Sequence, residues 1–529
     1  MRKLATLLLA AGLVFGFSTG ANAIDFKAKG QWIMSFDYGQ NGNFTGDNGQ
    51  TGWRSANNGR QDEFNARQRV RLQLDAVASE ALSGTVWFEI GAQNWGTAGS
   101  GGALGADGNN QVKVKSAYID WIVPETDLKV RMGIQGMAIP SFTTGSNVFN
   151  DDVAGVTLSY QFTENVGATF FWARPWNDNY TGDRNNGHQN YVDNVDAFGL
   201  LVPFTFDGVK VTPWVMYSMI GPNAWRSFDR GSFDGNGNWV PGRNGATNRF
   251  YRNVTGTSAA FPIAGMLPVG GALHKDGTVS TKNLKHYGNA IWAGLTGELT
   301  MFDPLRIAWD FNYGSVSYSE SRMNRAGWLA SLLVEYKLDW GIPGIYGWYA
   351  SGDDGNPANG SERMPSLSVN NNNNGFSNFA YNGGPYIARE SVLGYDMSGT
   401  WGIGARLKDM SFLEDLKHTF RVNLIGGTNS TTMTRYLGKN ADFGWVGNGA
   451  NANAVGMQPL YMTTNDYAME IGLTNTYKMY ENFTVMLDMA YLATWMDHSR
   501  KVWGNTRFNG DDDTVKDPWN INLSFVYSF

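Results

Sequence analysis

The 529-residue chain sets 41 Lys and Arg against 47 Asp and Glu, a formal net charge of −6, and this acidic balance argues against nucleic acid as a partner. It has no cysteine, so no disulfide can staple it, and it spends 20 positions on Trp and 66 on Gly, with 14% of residues aromatic. Soluble domains seldom use so many indoles, whereas membrane proteins place them in belts at both interfaces.

Arg2 and Lys3 precede an apolar run from Leu4 to Phe17, and Ala21-Asn22-Ala23 follows. This is the pattern of a secretory signal peptide over residues 1–23, with the mature chain, 24–529, beginning at Ile24. The run is too short for a spanning helix, and no later stretch reaches the roughly 18 to 20 apolar residues that one needs. If the chain sits in a membrane, it crosses with strands.

From the mature start, large apolar residues alternate with polar ones, the period of a strand between two unlike environments. Trp32, Met34, Phe36 and Tyr38 oppose Gln31, Ser35 and Asp37, and Val70, Leu72 and Leu74 oppose Arg67, Arg69, Arg71 and Gln73. The pattern recurs about eighteen times. Tight connections fall near Ser79, at 124–126, Glu164, 207–208, 302–304, 341–344 and 480–482, and between them come long ones such as 39–61, 96–110, 135–152 and about 65 residues ending near Tyr287. An Asn-rich stretch over 351–396, including Asn370 to Asn374, reads as low-complexity and mobile. In the last strand Trp519, Ile521, Leu523, Phe525, Tyr527 and Phe529 share one face, opposite Asn520, Asn522, Ser524, Val526 and Ser528.

Long and short connections alternate throughout, with both chain ends on the short side. The expected fold is therefore an all-β transmembrane antiparallel β-barrel of about 18 strands, with short periplasmic turns and long extracellular loops. Pro213 inside strand nine, Leu329 and Leu333 on the polar side of strand twelve, and a short strand thirteen fit poorly and leave 16 strands as the alternative.

The face opposite the apolar one carries Arg67, Arg69, Arg71, Lys129, Arg131, Glu298, Arg306, Asp310, Arg406, Arg421, Glu470 and Asp488. Charges facing lipid at mid-depth cost about 2–4 kcal/mol each, so these must line the interior, and a ring of that size leaves room for water. Arg67, Arg69 and Arg71 form a basic ladder, either one side of a constriction or a wall patch paired to nearby carboxylates. Its expected opposite is the connection 135–152, whose Met137, Ile139, Phe142, Val148 and Phe149 favour folding inward. Arg131 would join the constriction, and Asp151 and Asp152 would supply its acidic groups.

The stretch Ile24-Asp-Phe-Lys-Ala-Lys-Gly-Gln-Trp-Ile-Met-Ser-Phe-Asp-Tyr-Gly39, the long loops and the terminal Phe529 resemble the outer-membrane homotrimeric porins of Desulfovibrio-type sulfate-reducing bacteria over essentially the whole mature chain. That resemblance implies a trimer of passive channels in a Gram-negative outer membrane, in contact with lipid and lipopolysaccharide, each pore holding an inward third loop. It also implies that Phe529 marks the strand read by the barrel-assembly machinery. The expected function is general diffusion of ions and small hydrophilic solutes, with no cofactor, metal or catalytic residue.

Two rivals remain. An enzyme on a barrel scaffold needs a nucleophile and base, but the one G-x-S-x-G match, Gly16 to Gly20, leaves with the signal peptide, and His188, His274, His286, His418 and His498 show no zinc spacing. A sugar-type channel would use inward Trp87, Trp214 and Trp292 as a track. The acidic pieces Asp353-Asp354-Gly355-Asn356 and Asp511 to Asp513 lack the spacing of an EF-hand and read as solvated loops, with Ca²⁺ binding as the alternative.

Overall fold

The computed structural model describes residues 24–40, 62–95, 112–177, 194–221, 286–356, 358–367, 375–381, 396–434, 461–497 and 517–529, with residues 224, 232–233, 239–240, 265–266, 393–394, 499 and 501–502. The expected signal peptide, His188, His274, His498, Asn370 to Asn374 and Asp511 to Asp513 lie outside them.

Eighteen barrel strands follow in chain order, and among the described residues a separate two-stranded pairing joins Ser232–Phe233 to Trp239–Val240. The barrel strands are β1 (Asp25–Gln40), β2 (Asp62–Ser79), β3 (Leu82–Asn94), β4 (Val112–Ile122), β5 (Lys129–Ala138), β6 (Asn150–Gln161), β7 (Gly167–Asn177), β8 (Asn194–Leu201 continued by Phe204–Phe206) and β9 (Val209–Ile220). The second half holds β10 (Gly288–Phe302), β11 (Leu305–Ser317), β12 (Arg325–Tyr336), β13 (Ile342–Ala350), β14 (Thr400–Leu413), β15 (Leu416–Gly427), β16 (Tyr467–Tyr480), β17 (Phe483–Trp495) and β18 (Trp519–Ser528). Each pairs antiparallel with the next, and β18 returns to β1 from Gln31↔Ser528 to Gln40↔Trp519. The sheet is thus a closed barrel.

Closure follows from the solvent. In hydrocarbon an unpaired N–H or C=O finds no water, and only a ring of strands leaves no edge. Even the last residue is zipped in, since the Phe529 N–H donates to Gly30 O at 3.0 Å and the Gly30 N–H to Phe529 O at 2.8 Å. Side chains sort by parity: on β1 Ser35 and Asp37 are fully buried inside while Trp32, Met34 and Tyr38 are exposed outside.

The three misfits have physical explanations, and the count is eighteen rather than sixteen. Pro213 lies where the ladder is already interrupted, opposite the break at Val202-Pro203, and there its carbonyl accepts from Val202 N–H at 3.1 Å. The donor it lacks therefore falls opposite Val202, at an irregular position and not within a continuous ladder. Leu329 and Leu333 do face inward, but in an apolar cluster with Met364 and Leu367 from an inward-folded loop rather than in water. β13 is short yet paired along both edges.

An arginine replacing outward Ile471 on β16 is expected to cost about 2–4 kcal/mol of barrel stability. Urea titration of the protein folded into lipid vesicles measures this, and Asn423→Ser, inside on the neighbouring strand, provides a comparison that places no charge in lipid.

Candidate pore

The interior is built from strand faces whose charges are mostly paired. On β2, Arg71 Nε donates to Glu89 Oε2 at 2.8 Å, and Arg67 Nε stands 3.7 Å from buried Asp37. Arg69, between them, has no carboxylate within ion-pair distance among the described residues, and its buried Nε has no hydrogen bond. The ladder's middle rung therefore has no direct ion pair among the described residues, with Glu89 opposing its charge at longer range.

Arg131 forms a two-pronged bond to Asp120 at 2.6 and 2.9 Å and lies over the Tyr118 ring, close to the short-turn end of β5. With Lys129, Gln135, Thr157 and Phe171 it lines a cavity of about 500 Å³ there. Asp151 Oδ1 accepts the Asp152 N–H, and Asp152 is paired to Lys115, which itself sits over the Trp87 ring. No ion pair among the described residues joins Asp151, Asp152 or Arg131 to the ladder.

The connection between β5 and β6 folds into the barrel, with Ile139, Val148 and Phe149 fully buried against the inner wall and Phe149 beside Phe171 of β7. Its tip docks on β10 to β12. There Asp310 accepts from Ser141 Oγ at 2.6 Å, Phe142 N–H at 3.1 Å, Thr143 N–H at 3.2 Å, and the hydroxyls of Thr143 and Thr296. Thr143 Oγ1 also lies 2.7 Å from Ser331 Oγ. In a ring of eighteen, β11 is half a turn from β2, so the docked tip and the arginine ladder occupy opposite walls.

A second loop folds inward, which corrects the reading of 351–396 as mobile for its described residues. Phe376 stacks on Tyr346 of β13 with ring centroids 4.2 Å apart. Glu470, fully buried on β16, accepts from Ser377 Oγ and from the N–H groups of Asn378, Phe379 and Ala380, and Asn378 Nδ2 donates to Asp488 at 2.9 Å. Burial lifts the Tyr381 phenol above its usual range, so it stays a neutral donor, here to Thr400 Oγ1. The two inward loops also touch, Leu367 N–H donating to Val148 O at 2.8 Å. This loop covers Trp292, whose Nε1 donates to Pro365 O, and Trp214 is buried as well, so neither joins an open aromatic track. Asp353 is also engaged, by Ser361 Oγ and Tyr461 Oη.

Beneath both loops runs a continuous charged belt. Lys210 meets Glu298 at 2.9 Å, Glu298 meets Arg306 at 2.8 Å, Arg306 meets Glu335 at 2.9 Å and Glu335 meets Arg406 at 2.5 Å. The last pair spans an intervening strand because Gly344 stands between its members in register and has no side chain to separate them. Each arginine spends its remaining donor on a loop carbonyl: Arg306 Nη2 holds Phe142 O at 2.8 Å, and Arg406 Nη1 holds Gly375 O at 2.7 Å. Arg421, opposite Arg406 on β15, bonds only weakly to Thr474 Oγ1 at 3.3 Å and leaves a buried Nε without a hydrogen bond. Glu335, Lys210, Glu89 and Lys115 escaped the sequence reading, which placed Asp37 on the polar face of the first strand without naming it as a partner of the ladder. For Glu335 a signal existed, since it shares the inward face of β12 with Ser331, but Leu329 and Leu333 on that face obscured it.

No protein-family model matches this chain, and no curated protein does. Among solved structures it is similar to the outer membrane protein OprD from Pseudomonas aeruginosa, with 9% identity, TM-score 0.47 and coverage of 97% of this chain and 95% of that one. It is also similar to OpdL from Pseudomonas aeruginosa, with 10% identity, TM-score 0.47 and coverage of 96% and 99%. OccAB3 from Acinetobacter baumannii shares 8% identity at TM-score 0.46, over 95% and 99%. Likeness this distant transfers nothing to the chain, whose fold rests on its own ladder.

Replacing Asp310 by Ala removes the acceptor of five donors and is expected to free the 139–149 loop, detected as new protease cleavage there in the detergent-solubilised protein. Glu335→Gln should cost about 3–5 kcal/mol, as expected when one partner of a buried ion pair is neutralised, and should loosen both loops together. Cleavage in one loop alone would separate their anchors.

Proposed function

We propose that this chain is a porin of the Gram-negative outer membrane, a passive water-filled channel for ions and small hydrophilic solutes. The observation that carries the reading is the inward Arg69 rung, which has no direct ion pair among the described residues, on the wall opposite the docked loop. A desolvated guanidinium is stable there only if water or passing anions reach it. The apolar outer face and the short-turn ends support membrane insertion, with the signal peptide as the export route.

General diffusion is the first form of this proposal. A second form, a substrate-specific channel, is favoured by the two loops that fold inside and narrow the lumen. The family resemblance of residues 24–39 extends the proposal to a homotrimer seated among lipopolysaccharide and assembled through the strand ending at Phe529.

Planar-bilayer recording under a salt gradient tests it. The Arg67, Arg69, Arg71→Ala variant is expected to shift its reversal potential toward cation preference, and by more than Arg69→Ala alone, because removing Arg67 and Arg71 also leaves Asp37 and Glu89 without their counter-charges. No conductance from the wild type would end the channel reading, and an unmoved reversal potential would remove the ladder from the constriction. Saturable current blocked by a competing solute would select the substrate-specific form.

A further inference from the structure

On the outside of the barrel, near the short-turn end, the wall over β12 to β15 is hollowed. Outward-facing positions run in rows across these strands, Pro343–Leu407–Phe420 and Val334–Ile345–Ala405–Val422, with outward Tyr336 ending β12 beside them. Pro343 and Ala405 are small, so the sheet is thin there, and the rings of Tyr336 and Phe420 rise on either side. A groove of about 450 Å³ results, lined almost wholly by apolar atoms. Its walls leave Ile345 64% exposed, against 37% for Ile471, an outward isoleucine three strands on. Neighbouring side chains do not cover Ile345.

We propose that this groove holds one acyl chain of a glycerophospholipid with a zwitterionic, amine-bearing headgroup, from the leaflet on the short-turn side. The groove is continuous with the lipid-facing belt, which argues for a hydrocarbon occupant. The headgroup follows from the turn at its mouth, where Lys337 and Asp339 are both exposed beside exposed Trp340. A lysine and an aspartate two residues apart complement a phosphate and an ammonium, whereas a purely anionic headgroup would meet repulsion at Asp339. The indole of Trp340 lies where amphipathic rings sit at a membrane interface. Filling the groove removes isolated apolar side chains from contact with disordered tails and holds the short β13 edge that the Glu335–Arg406 pair bridges from within.

The inference rests on the barrel's insertion in a membrane and not on conductance, so the two can fail separately. The full chain is reconstituted into nanodiscs with equal phosphatidylethanolamine and phosphatidylglycerol and released for native mass spectrometry, with bilayer recording in parallel. The wild type is expected to retain one phosphatidylethanolamine per chain. Ala405→Phe, which fills the groove, should lose it, while Ala293→Phe, equally outward on β10, should keep it. The Lys337→Gln, Asp339→Asn pair should retain a lipid without headgroup preference. Absence of retained lipid in the wild type, equal retention of the two lipids, or undiminished retention in Ala405→Phe overturns the proposal. So does separation of oligomers by Ala405→Phe with lipid unchanged, which would make the groove a contact between copies.

Discussion

A backbone amide in hydrocarbon must find its hydrogen bond within the protein, and everything in this structure is downstream of that requirement. It forces eighteen strands into a ring, joins Gly30 to Phe529, and leaves each strand with one face in lipid and one facing the lumen. Once the ring is closed its interior is too wide for side chains alone to fill. The remaining question is what occupies the middle.

Here two loops enter it, and they are held differently from the strands. Their apolar residues pack on inward leucines, tryptophans and tyrosines that would otherwise meet water, and their polar tips are held by buried carboxylates. Asp310 gathers the first tip and Glu470 the second, each accepting backbone N–H groups that would otherwise be stranded out of water. The belt from Lys210 to Arg406 couples these attachments, because Glu335 binds both arginines whose outer donors hold the loop carbonyls. The loops and the wall behind them act as one charged lattice, and the shape of the lumen follows from its connectivity.

Against that lattice the β2 ladder is asymmetric. Among the described residues, local carboxylates pair directly with its outer rungs and not with the middle one, so net charge along the chain says little about the field inside. An acidic protein can present a cationic wall to a solute, since what counts is which residues share a lumen.

How much of this was legible beforehand can be judged from particular residues. Alternation in β1, β2 and β18 marks which side chains face lipid, because a strand's period is two and lipid penalises any error of phase. Connection lengths mark which end carries the loops, since a hairpin needs only a short turn. The inward course of 139–149 showed in Val148 and Phe149, which have no place in water. Other features depend on contacts between residues far apart in the chain, and local pattern has no access to those. Glu335 meeting Arg406 depends on a glycine one strand away, Glu470 on a loop some ninety residues earlier, and the partners of Asp152 and Arg131 on strand register rather than on neighbouring sequence. The Asn-rich segment looked mobile because amide-rich composition resembles a solvated chain, and its described residues 375–381 became part of the interior because the closed ring presented acceptors for their N–H groups.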